Sequence, residues 1–400
     1  MDVSMDYVVA GMIIFLMVSF TLFGIFNTDF LQTTKISQEQ FNPEVEKVFD
    51  KILLSRGAPY NWGSDYTINA VNYTQLEDFG LAYMAQSTNM YTVDVDKILR
   101  LYNDTTEPNP LYMPPSVIGP LLGLKQGDHW NYGFRLYMIH ALNISINAIK
   151  NITINQKPTP VKFQVEIRNY LGEVAPNAYV KANYMLFYYI QSNGTTNYMY
   201  SSSENITDYN GCTTFDFATW VNSVKNIGQR QFYVFVVQAT YGGLKSCAFY
   251  VASVTEALEL RVVGDLLFAS FNDLPDIPNG ARHLRKEMIG VTSDLDILDI
   301  PLEDATGSEA GRVINYGGKS YRVYQLTGDP GQDLIFLAMI IKLTGKDWLA
   351  VAYRPPYPVA IDYRSHSFPL AGVKSVSVER IVHAGGVDYY ARLTMWRMSE

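Results

Sequence analysis

Nineteen consecutive residues without a charged side chain, Val8 to Phe26, set the basic architecture of this chain. At a rise of about 1.5 Å per residue, a helix of this length spans roughly 28 Å, close to the hydrocarbon thickness of a bilayer. The next most apolar run, Leu334 to Ile341, has eight residues, a length typical of a buried strand. The sequence therefore predicts one membrane anchor within residues 1–34. The residues that we assign to the membrane anchor are Val8, Gly11, Ile14, Leu16, Phe20, Phe23 and Phe26.

The flanks of the apolar segment favour a retained anchor over a cleaved secretory signal. No Lys or Arg precedes Lys35, and the residues after Phe26 lack a small-x-small cleavage site. The positive-inside rule has almost no charges to count here, so charge alone does not give the orientation. The expected partners of residues 8–26 are membrane lipid or neighbouring hydrophobic helices.

The composition favours strands and argues against one class of partner. Aromatic residues make up 14% of the chain, with 29 Tyr, and aromatic and β-branched residues favour strands. The net charge of −8 and the lack of a clustered basic stripe argue against a nucleic-acid partner. With 400 residues, the chain is long enough for two or three domains, each with its own core.

Two helices are predicted before the strand-rich part of the chain. Asn42-Pro43-Glu44 has the composition of a helix start, with Asn as the N-cap and Pro at the first helical position. Apolar residues at three- and four-residue steps follow it up to Leu53, which predicts one buried face, and Gly57 predicts the end. A second, shorter helix is predicted from Val93 to Tyr102.

Alternating apolar residues from Tyr132 onwards predict long strands with one buried face. The polar, Pro-bearing stretch 155–160 predicts a domain boundary. Further strands are predicted at 178–190, 195–202, 212–217, 231–240 and 246–254, and again in six segments between 255 and 400. The stretch 272–304 is predicted to be a long loop with a little helix, and residues 354–358 (RPPYP) a rigid turn between strands.

The predicted fold is mainly β, with an N-terminal transmembrane or pilin-like helix, β-sandwich domains and a few short helices. After the anchor, the predicted domains are an α+β head segment over 35–158, a transthyretin/Ig-like β-sandwich over 159–254 and a C-terminal β-rich domain over 255–400.

The sandwich prediction rests partly on two turns. Residues 172–180 (GEVAPNAYV), followed by residues 207–211 (TDYNG) and a strand, resemble the carboxypeptidase-regulatory or transthyretin-like sandwich family. Gly172 and Gly211 supply turn backbone, while Ala178 and Val180 alternate into the core. The resemblance covers about 95 residues and implies a spacer, adhesin or stalk module rather than a catalytic one.

The layout of the whole chain resembles that of archaeal pilin-like surface proteins. The resemblance implies a membrane-inserted or filament-forming N-terminal helix that carries an extracytoplasmic β-rich head. Whether the chain is processed at its N-terminus and whether it polymerises stay open. The matching pieces are Asp6–Ala10, Leu53–Pro59, Trp62-Gly63, Gly80–Ala82, Phe134–Leu136 and Arg392–Arg397.

Six N-x-S/T sequons are candidate glycosylation sites, against about three expected by chance. The alternative interpretation is ordinary turn and strand Asn and Thr. Asn143 and Asn151 lie near strand positions and are the weakest of the candidates. The six are Asn72, Asn103, Asn143, Asn151, Asn193 and Asn205.

The two cysteines, Cys212 and Cys247, lie on predicted strands of the same sandwich. Outside the cytoplasm they are expected to form a disulfide if the strands lie close, which would contribute roughly 3–4 kcal/mol in the chain-entropy model. The alternative is two buried thiols that pack as small apolar groups.

No catalytic, cofactor or metal site is predicted. The acidic string Asp294 to Asp299 lacks the Gly and the distal Glu of an EF-hand loop, so a solvated loop is the better interpretation. No phosphate-binding or dinucleotide-binding glycine motif occurs. The histidines show no paired metal-ligand spacing. They are His129, His140, His283, His366 and His383.

These features predict a single-pass protein of the cell membrane with its bulk at the cell surface. The expected role is structural or adhesive and pilin-like, with self-association into filaments as a possible mode of assembly, and it does not include an enzymatic activity. The alternative is a tethered extracytoplasmic binding subunit, either a sugar or peptide receptor or an accessory part of a membrane or secretion machine.

Overall fold

The computed structural model describes most of the chain after the first forty residues. The predicted anchor over 8–26, with all seven of its named positions, lies outside the described residues. The described residues are 41–65, 67–69, 72–83, 90–103, 109, 111–155, 157–189, 196–227, 231–252, 257–270, 287–304, 312–316, 319–326, 331–343, 346–354, 360–367 and 374–398.

Four helices occur in this part of the chain. Residues 41–54 form helix α1, whose apolar residues at three- and four-residue steps are buried while the intervening polar residues are exposed. The other helices are shorter: α2 (Val95–Leu99), α3 (Pro115–Leu121) and α4 (Ala218–Val224). Asp94 caps α2, because its carboxylate accepts a hydrogen bond from the Asp96 N–H.

The described residues contain 21 strands. They are β1 (Lys125–Gln126), β2 (His129–Trp130), β3 (Tyr132–His140), β4 (Leu142–Ile154), β5 (Lys157–Asn169), β6 (Tyr179–Tyr189), β7 (Thr196–Ile206), β8 (Cys212–Asp216), β9 (Gln231–Tyr241), β10 (Leu244–Val251), β11 (Ala257–Val263), β12 (Leu266–Ser270), β13 (Glu287–Thr292), β14 (Ile297–Asp304), β15 (Arg312–Tyr316), β16 (Lys319–Leu326), β17 (Leu334–Leu343), β18 (Lys346–Tyr353), β19 (Ile361–Arg364), β20 (Ser375–Ala384) and β21 (Val387–Arg397).

Sheet A joins the middle of the chain to its last strands. Its order is β19-β3-β21-β20, and all of its pairings are antiparallel. Leu136 on β3 lies opposite Leu393 on β21, and both are buried. The exposed face carries charged pairs across the strands, including Arg135 with Asp362 at 2.7 Å.

Strands β4 to β10 form a two-sheet unit. A three-stranded sheet (β4-β5-β8) faces a four-stranded sheet (β10-β9-β6-β7), and both are antiparallel. Their facing sides enclose one apolar core, closed at one end by α4. In this core the rings of Phe163 and Phe235 stack with centroids 4.2 Å apart.

Strands β11 to β18 form a third unit, the closed sheet. Its order is β12-β11-β18-β17-β13-β14-β16-β15, and β12 also pairs with β16, so the strand pairings return to their starting point. Only the β11–β18 pair is parallel among the described strands. Leu260, Met288 and Leu337 belong to a separate apolar core of this unit.

One large core holds these units together. It contains buried residues of α1, α2 and sheet A, the outer side of the four-stranded sheet and one side of the closed sheet. Because α1 contributes Phe41, Val45 and Phe49 to this shared core, it packs together with sheet A, the two-sheet unit and the closed sheet, which we call the head.

The mainly β fold with a few short helices and several antiparallel sheets is confirmed. The predicted strands between 178 and 254 appear with ends within a few residues, as do those at the C-terminus. The loop prediction for 272–304 is wrong in its second half, since β13 and β14 occupy 287–304 apart from a short turn. Acidic residues alternate with apolar ones in this part of the chain. They are typical of a solvated loop, but here they belong to strands or to the turn between them.

Two predicted domain limits fall inside units of the structure. The stretch 155–160 connects β4 to β5 of one sheet, with Ile154 opposite Lys157. Within residues 255–400, β11 to β18 form the closed sheet, whereas β19 to β21 pair in sheet A with β3. Strand patterns show which residues face a core, but they do not show which distant strand is the partner.

Candidate functional site

The candidate site is the place where α1 meets the rest of the head. At one end of α1, the ring of Phe41 stacks on Tyr132 of β3 with centroids 5.5 Å apart, and the guanidinium of Arg397 lies 5.7 Å from the Phe41 ring centroid. Towards the other end, the Lys51 ammonium donates to the Leu121 carbonyl at 2.7 Å and pairs with Asp78 at 3.0 Å. The helix is thus held by residues of two strands, of α3 and of a loop.

The loop after α1 closes on itself through close backbone contacts. Gly57 has φ +71°, a conformation that L side chains rarely adopt, and a Cβ at Gly80 would collide with the carbonyl oxygen of Ser55. The Trp62 indole N–H donates to the Gly80 carbonyl at 3.0 Å. The sequence pieces 53–59, 62–63 and 80–82, which carried the pilin-like resemblance, therefore lie together. We call residues 55–63, 78–82 and 94–100 together with Arg354 the junction.

Arg100, which follows α2, donates hydrogen bonds to five backbone carbonyls around it. Its guanidinium is fully buried and binds the carbonyl oxygens of Trp62, Gly63, Asp65, Ile68 and Leu111. It also lies 5.9 Å from the centroid of the Trp62 ring. Burial lowers the pKa of Arg100 to about 10, so the group remains charged at neutral pH. One side chain thus holds two backbone segments, the one from Trp62 to Ile68 and the one at Leu111.

A buried ion pair connects the junction to the closed sheet. Asp96 and Arg354 have side chains only 4% and 3% exposed, and one guanidinium nitrogen donates to both carboxylate oxygens at 2.7 and 2.8 Å. The same carboxylate accepts the N–H of Gly264 at 2.8 Å. Residue 354 directly follows β18, so this pair fixes α2 against the closed sheet.

Sequence reasoning missed these charged residues. Asp96 and Arg100 lie in the predicted helix 93–102 among apolar neighbours, and Arg354 begins the stretch that was predicted as a rigid turn. The available signal was the run of charged residues on a short helix whose remaining residues are apolar. All five residues of α2 are buried in the structure.

Lys97 and Asp94 form a second charged pair of the junction. The fully buried Lys97 ammonium donates to the carbonyls of Arg56 and Ala82, each at 2.9 Å, and lies 3.9 Å from Asp94. Burial, followed by repulsion from Asp96, raises the pKa of Asp94 to about 6 from its ordinary 3.8. Burial also lowers the pKa of Lys97.

We expect Asp94→Asn to stabilise the protein at pH 7.5 and to leave stability at pH 4 nearly unchanged. The raised folded-state pKa of Asp94 means that its contribution is complete below pH 3.8 and is lost as the pH rises through about 6. Asparagine keeps the N-cap and removes the buried charge, so the free energy of unfolding at pH 7.5 should rise by about 2–3 kcal/mol. Urea unfolding at the two pH values measures this change. An equal change at both pH values would contradict the raised pKa of Asp94.

A second polar contact region connects the closed sheet to the two-sheet unit. The Gln238 amide donates to the Ser293 carbonyl at 2.6 Å, the Lys245 ammonium pairs with Asp294 at 2.7 Å, and the Asn183 amide donates to the Leu295 carbonyl at 3.0 Å. The Lys245 bond lowers the pKa of Asp294. Asp294, Asp296 and Asp299 are exposed, as expected for a solvated string, but Leu295 between them is buried in the shared core.

His140, at the end of β3, is partly buried beside β10 and β21. Its Nδ1 lies 3.2 Å from the Ser246 hydroxyl, and its ring lies 4.6 Å from that of Tyr389. Burial lowers the pKa of His140 to about 4 from its ordinary 6.5. Ser246 is fully buried, and the Ser–His pair packs where β3, β10 and β21 meet.

We expect the free energy of unfolding to fall by about 3 kcal/mol through His140 as the pH drops from 6.5 to 4. The unfolded chain binds a proton on this histidine in that range, whereas the folded chain binds it only near pH 4. His140→Asn should therefore reduce the pH dependence of urea unfolding between pH 7 and 4.5. His129 is exposed, so His129→Asn is the control. An equal change in the pH dependence of unfolding in both variants would refute the lowered pKa of His140.

The two cysteines are free, and the predicted disulfide is not formed. Cys212 lies opposite Glu166 on the outer side of the three-stranded sheet, because its neighbour Thr213 points inward. Cys247 is buried in the shared core, on the outer side of the four-stranded sheet. Facing sheets pack about 10 Å apart, whereas a disulfide needs Cα atoms within about 7 Å.

The sequon asparagines do not converge on the junction. Those within the described residues are exposed: Asn72, Asn103, Asn143, Asn151 and Asn205. Asn193 lies outside the described residues. Within the part of the chain that the structure describes, no group of three or more His, Cys, Asp or Glu residues could hold a metal ion. In that same part, no helix combines the length and the apolar character needed to cross a membrane.

Comparison with known proteins identifies no family for the chain. No protein-family description matches it, and no curated protein matches it either. Among solved structures, the crystal structure of Spo0M, a sporulation control protein from Bacillus subtilis, matches at 8% sequence identity. That match covers 57% of this chain and 91% of Spo0M, with a TM-score of 0.19. A TM-score this low carries no argument about fold or function.

Proposed function

We propose that this chain is a pilin-like structural or adhesive protein of the cell surface, anchored or assembled through residues 8–26. The observation that carries the proposal is the packing of α1. This helix follows the apolar segment in sequence, and its buried face is part of the core shared by sheet A, the four-stranded sheet and the closed sheet. A helix that continues from an anchor into a β-rich head is the arrangement that the pilin-like resemblance implies.

The convergence of the resembling segments supports the same proposal. Residues 53–63 and 80–82 meet at the junction, and Phe134–Leu136 and Arg392–Arg397 lie on adjacent strands of sheet A. Trp396 lies against Gly133, where a side chain on Gly133 would collide with the indole. The pieces that fall within the described residues thus belong to one contact region around α1.

The buried hydrogen bonds and ion pair of the junction suit the transmission of force between α1 and the rest of the head. A surface protein held by one helix must transmit force from the head to that helix. Arg100 and the Asp96–Arg354 pair connect the chain after α1 to the closed sheet through buried, charge-assisted hydrogen bonds. In this proposal the two-sheet unit, with its transthyretin-like turns, is a spacer or adhesive module beyond that connection.

Electron microscopy of native cell envelopes with an antibody against residues 374–398 tests the proposal. Surface label on intact cells, lost after protease treatment and extracted only with detergent, is the expected result. Label along filaments favours assembly through residues 8–26, and diffuse surface label favours the tethered binding subunit instead. Label that requires opening of the cells would refute the surface assignment.

A further inference from the structure

We propose that the outer side of the three-stranded sheet is a glycosylated surface, with Asn143 and Asn151 of β4 as the acceptors. The inference rests on the proposed surface location, because N-glycosylation occurs on secreted and surface-exposed segments. It reverses the ranking of the sequons that the sequence suggested, where strand positions counted against these two asparagines. The structure supplies three observations in its favour.

The first observation is the direction of the side chains along β4. Leu142 and Ile144 point into the core of the two-sheet unit, so Asn143 and Ser145 point outward, and both are exposed. Residues two apart on a strand share one face. The acceptor amide and the hydroxyl of its sequon are therefore presented together on the same exposed side.

The same alternation holds at the second sequon. The pairing of β4 with β5 is irregular at two successive points between Ala148 and Asn151, and the two shifts compensate each other. Beyond them, Ile152 and Ile154 again face the core, while Asn151 and Thr153 are exposed. A second Asn and the hydroxyl of its sequon therefore lie on the outer side.

The second observation separates these sequons from two others. The Asn205 amide donates to the Thr214 carbonyl at 3.3 Å, and the hydroxyl of Thr207 is buried, where it donates to Ala175 at 2.6 Å. The Asn72 amide donates to the Thr67 carbonyl at 3.0 Å. Among the described residues, no hydrogen bond engages the amide of Asn143 or Asn151, so both amides point to solvent without competition.

The third observation is the position of the sheet in the molecule. The four-stranded sheet of the unit has its outer side in the shared core. The three-stranded sheet has its outer side exposed, and β4 is its edge strand. Eight residues at about 3.3 Å each separate the two asparagines by roughly 26 Å, so two glycans fit without collision.

The chemistry is transfer of an oligosaccharide from a polyprenyl-phosphate-linked donor by a separate membrane transferase. The Nδ2 atom of Asn forms a bond to the anomeric carbon, and the bond from that carbon to the phosphate oxygen breaks. One proton leaves Nδ2, and the polyprenyl phosphate departs with the electron pair. The resulting glycans would cover the exposed outer side of the three-stranded sheet.

Glycopeptide and intact-mass spectrometry of the full chain, purified from its native membranes, tests the proposal. We expect glycans on both asparagines of β4, one lost in Asn143→Gln and in Ser145→Ala, and the other lost in Asn151→Gln and in Thr153→Ala. The matched control is Asn147→Gln, since Asn147 is also exposed on β4 but is not in a sequon. This control and Asn205→Gln are expected to leave the mass of the glycans unchanged.

The failures of the two proposals can be told apart. Unmodified Asn143 and Asn151 in a chain that protease removes from intact cells would overturn the glycosylated surface and leave the surface role standing. Glycans on Asn205 or Asn72 with none on β4 would also overturn it. A chain protected from protease in intact cells would overturn both proposals.

Discussion

Replacing Arg354 by methionine is expected to lower the free energy of unfolding by about 3–5 kcal/mol. The substitution keeps much of the side-chain volume but leaves the carboxylate of Asp96, only 4% exposed, without its partner. An uncompensated buried charge costs far more than a lost surface pair. Urea unfolding of the wild type and of Arg354→Met, monitored by tryptophan fluorescence, measures the difference.

Two further variants make this result specific. The double variant Asp96→Leu/Arg354→Met removes both charges and is expected to recover most of the lost stability, because apolar replacements of buried pairs are often neutral. The exposed pair Arg135–Asp362 supplies the matched control, with side chains each 34% exposed. Arg135→Met should cost less than about 1 kcal/mol. A double variant no more stable than Arg354→Met would show that the charge itself is not the cause.

The strands of this protein could be predicted because their apolar residues alternate or form continuous runs. Leu334 to Ile340 of β17, for example, are all buried, on both sides of the strand, and the uninterrupted apolar sequence of this stretch indicates that. The assembly of the strands could not be predicted in the same way. Nothing in the alternation of β3 indicates that its partner is β21, more than two hundred residues later in the chain. That choice depends on long-range packing.

The junction illustrates the same limit for the candidate site. The helix 93–102 was predicted from its apolar residues, and a charged residue on a short helix is normally placed on its solvated side. Here Asp96, Lys97 and Arg100 are buried because their partners are backbone carbonyls and one distant arginine. A backbone carbonyl has no sequence signature. The disulfide prediction failed for a related reason. Cys212 and Cys247 belong to the same two-sheet unit, but they lie on the outer sides of its two opposite sheets.

Substitution of Arg100 is expected to cause the second large loss of stability, and the loss should be confined to the junction. Arg100→Met removes the hydrogen bonds that Arg100 donates to five carbonyls, of which those of Trp62, Gly63 and Ile68 are far from α2 in sequence. Each buried carbonyl left without a donor costs about 1–3 kcal/mol, so the total loss should exceed about 4 kcal/mol. Arg100→Lys keeps the charge but not the planar set of donors, so it should recover only a small part.

Hydrogen–deuterium exchange separates this effect from general destabilisation. In Arg100→Met, the amides of residues 57–65 and 78–82 should exchange at least tenfold faster under native conditions, while those of β5 and β9 in the core of the two-sheet unit keep their protection. The exposed Arg392→Met, on sheet A, is the control and should leave all of these regions unchanged. Uniformly faster exchange in Arg100→Met would mean that Arg100 stabilises the head as a whole. Faster exchange confined to 57–82 would mean that the segment after α1 can open by itself, and that Arg100 is the residue that keeps it closed.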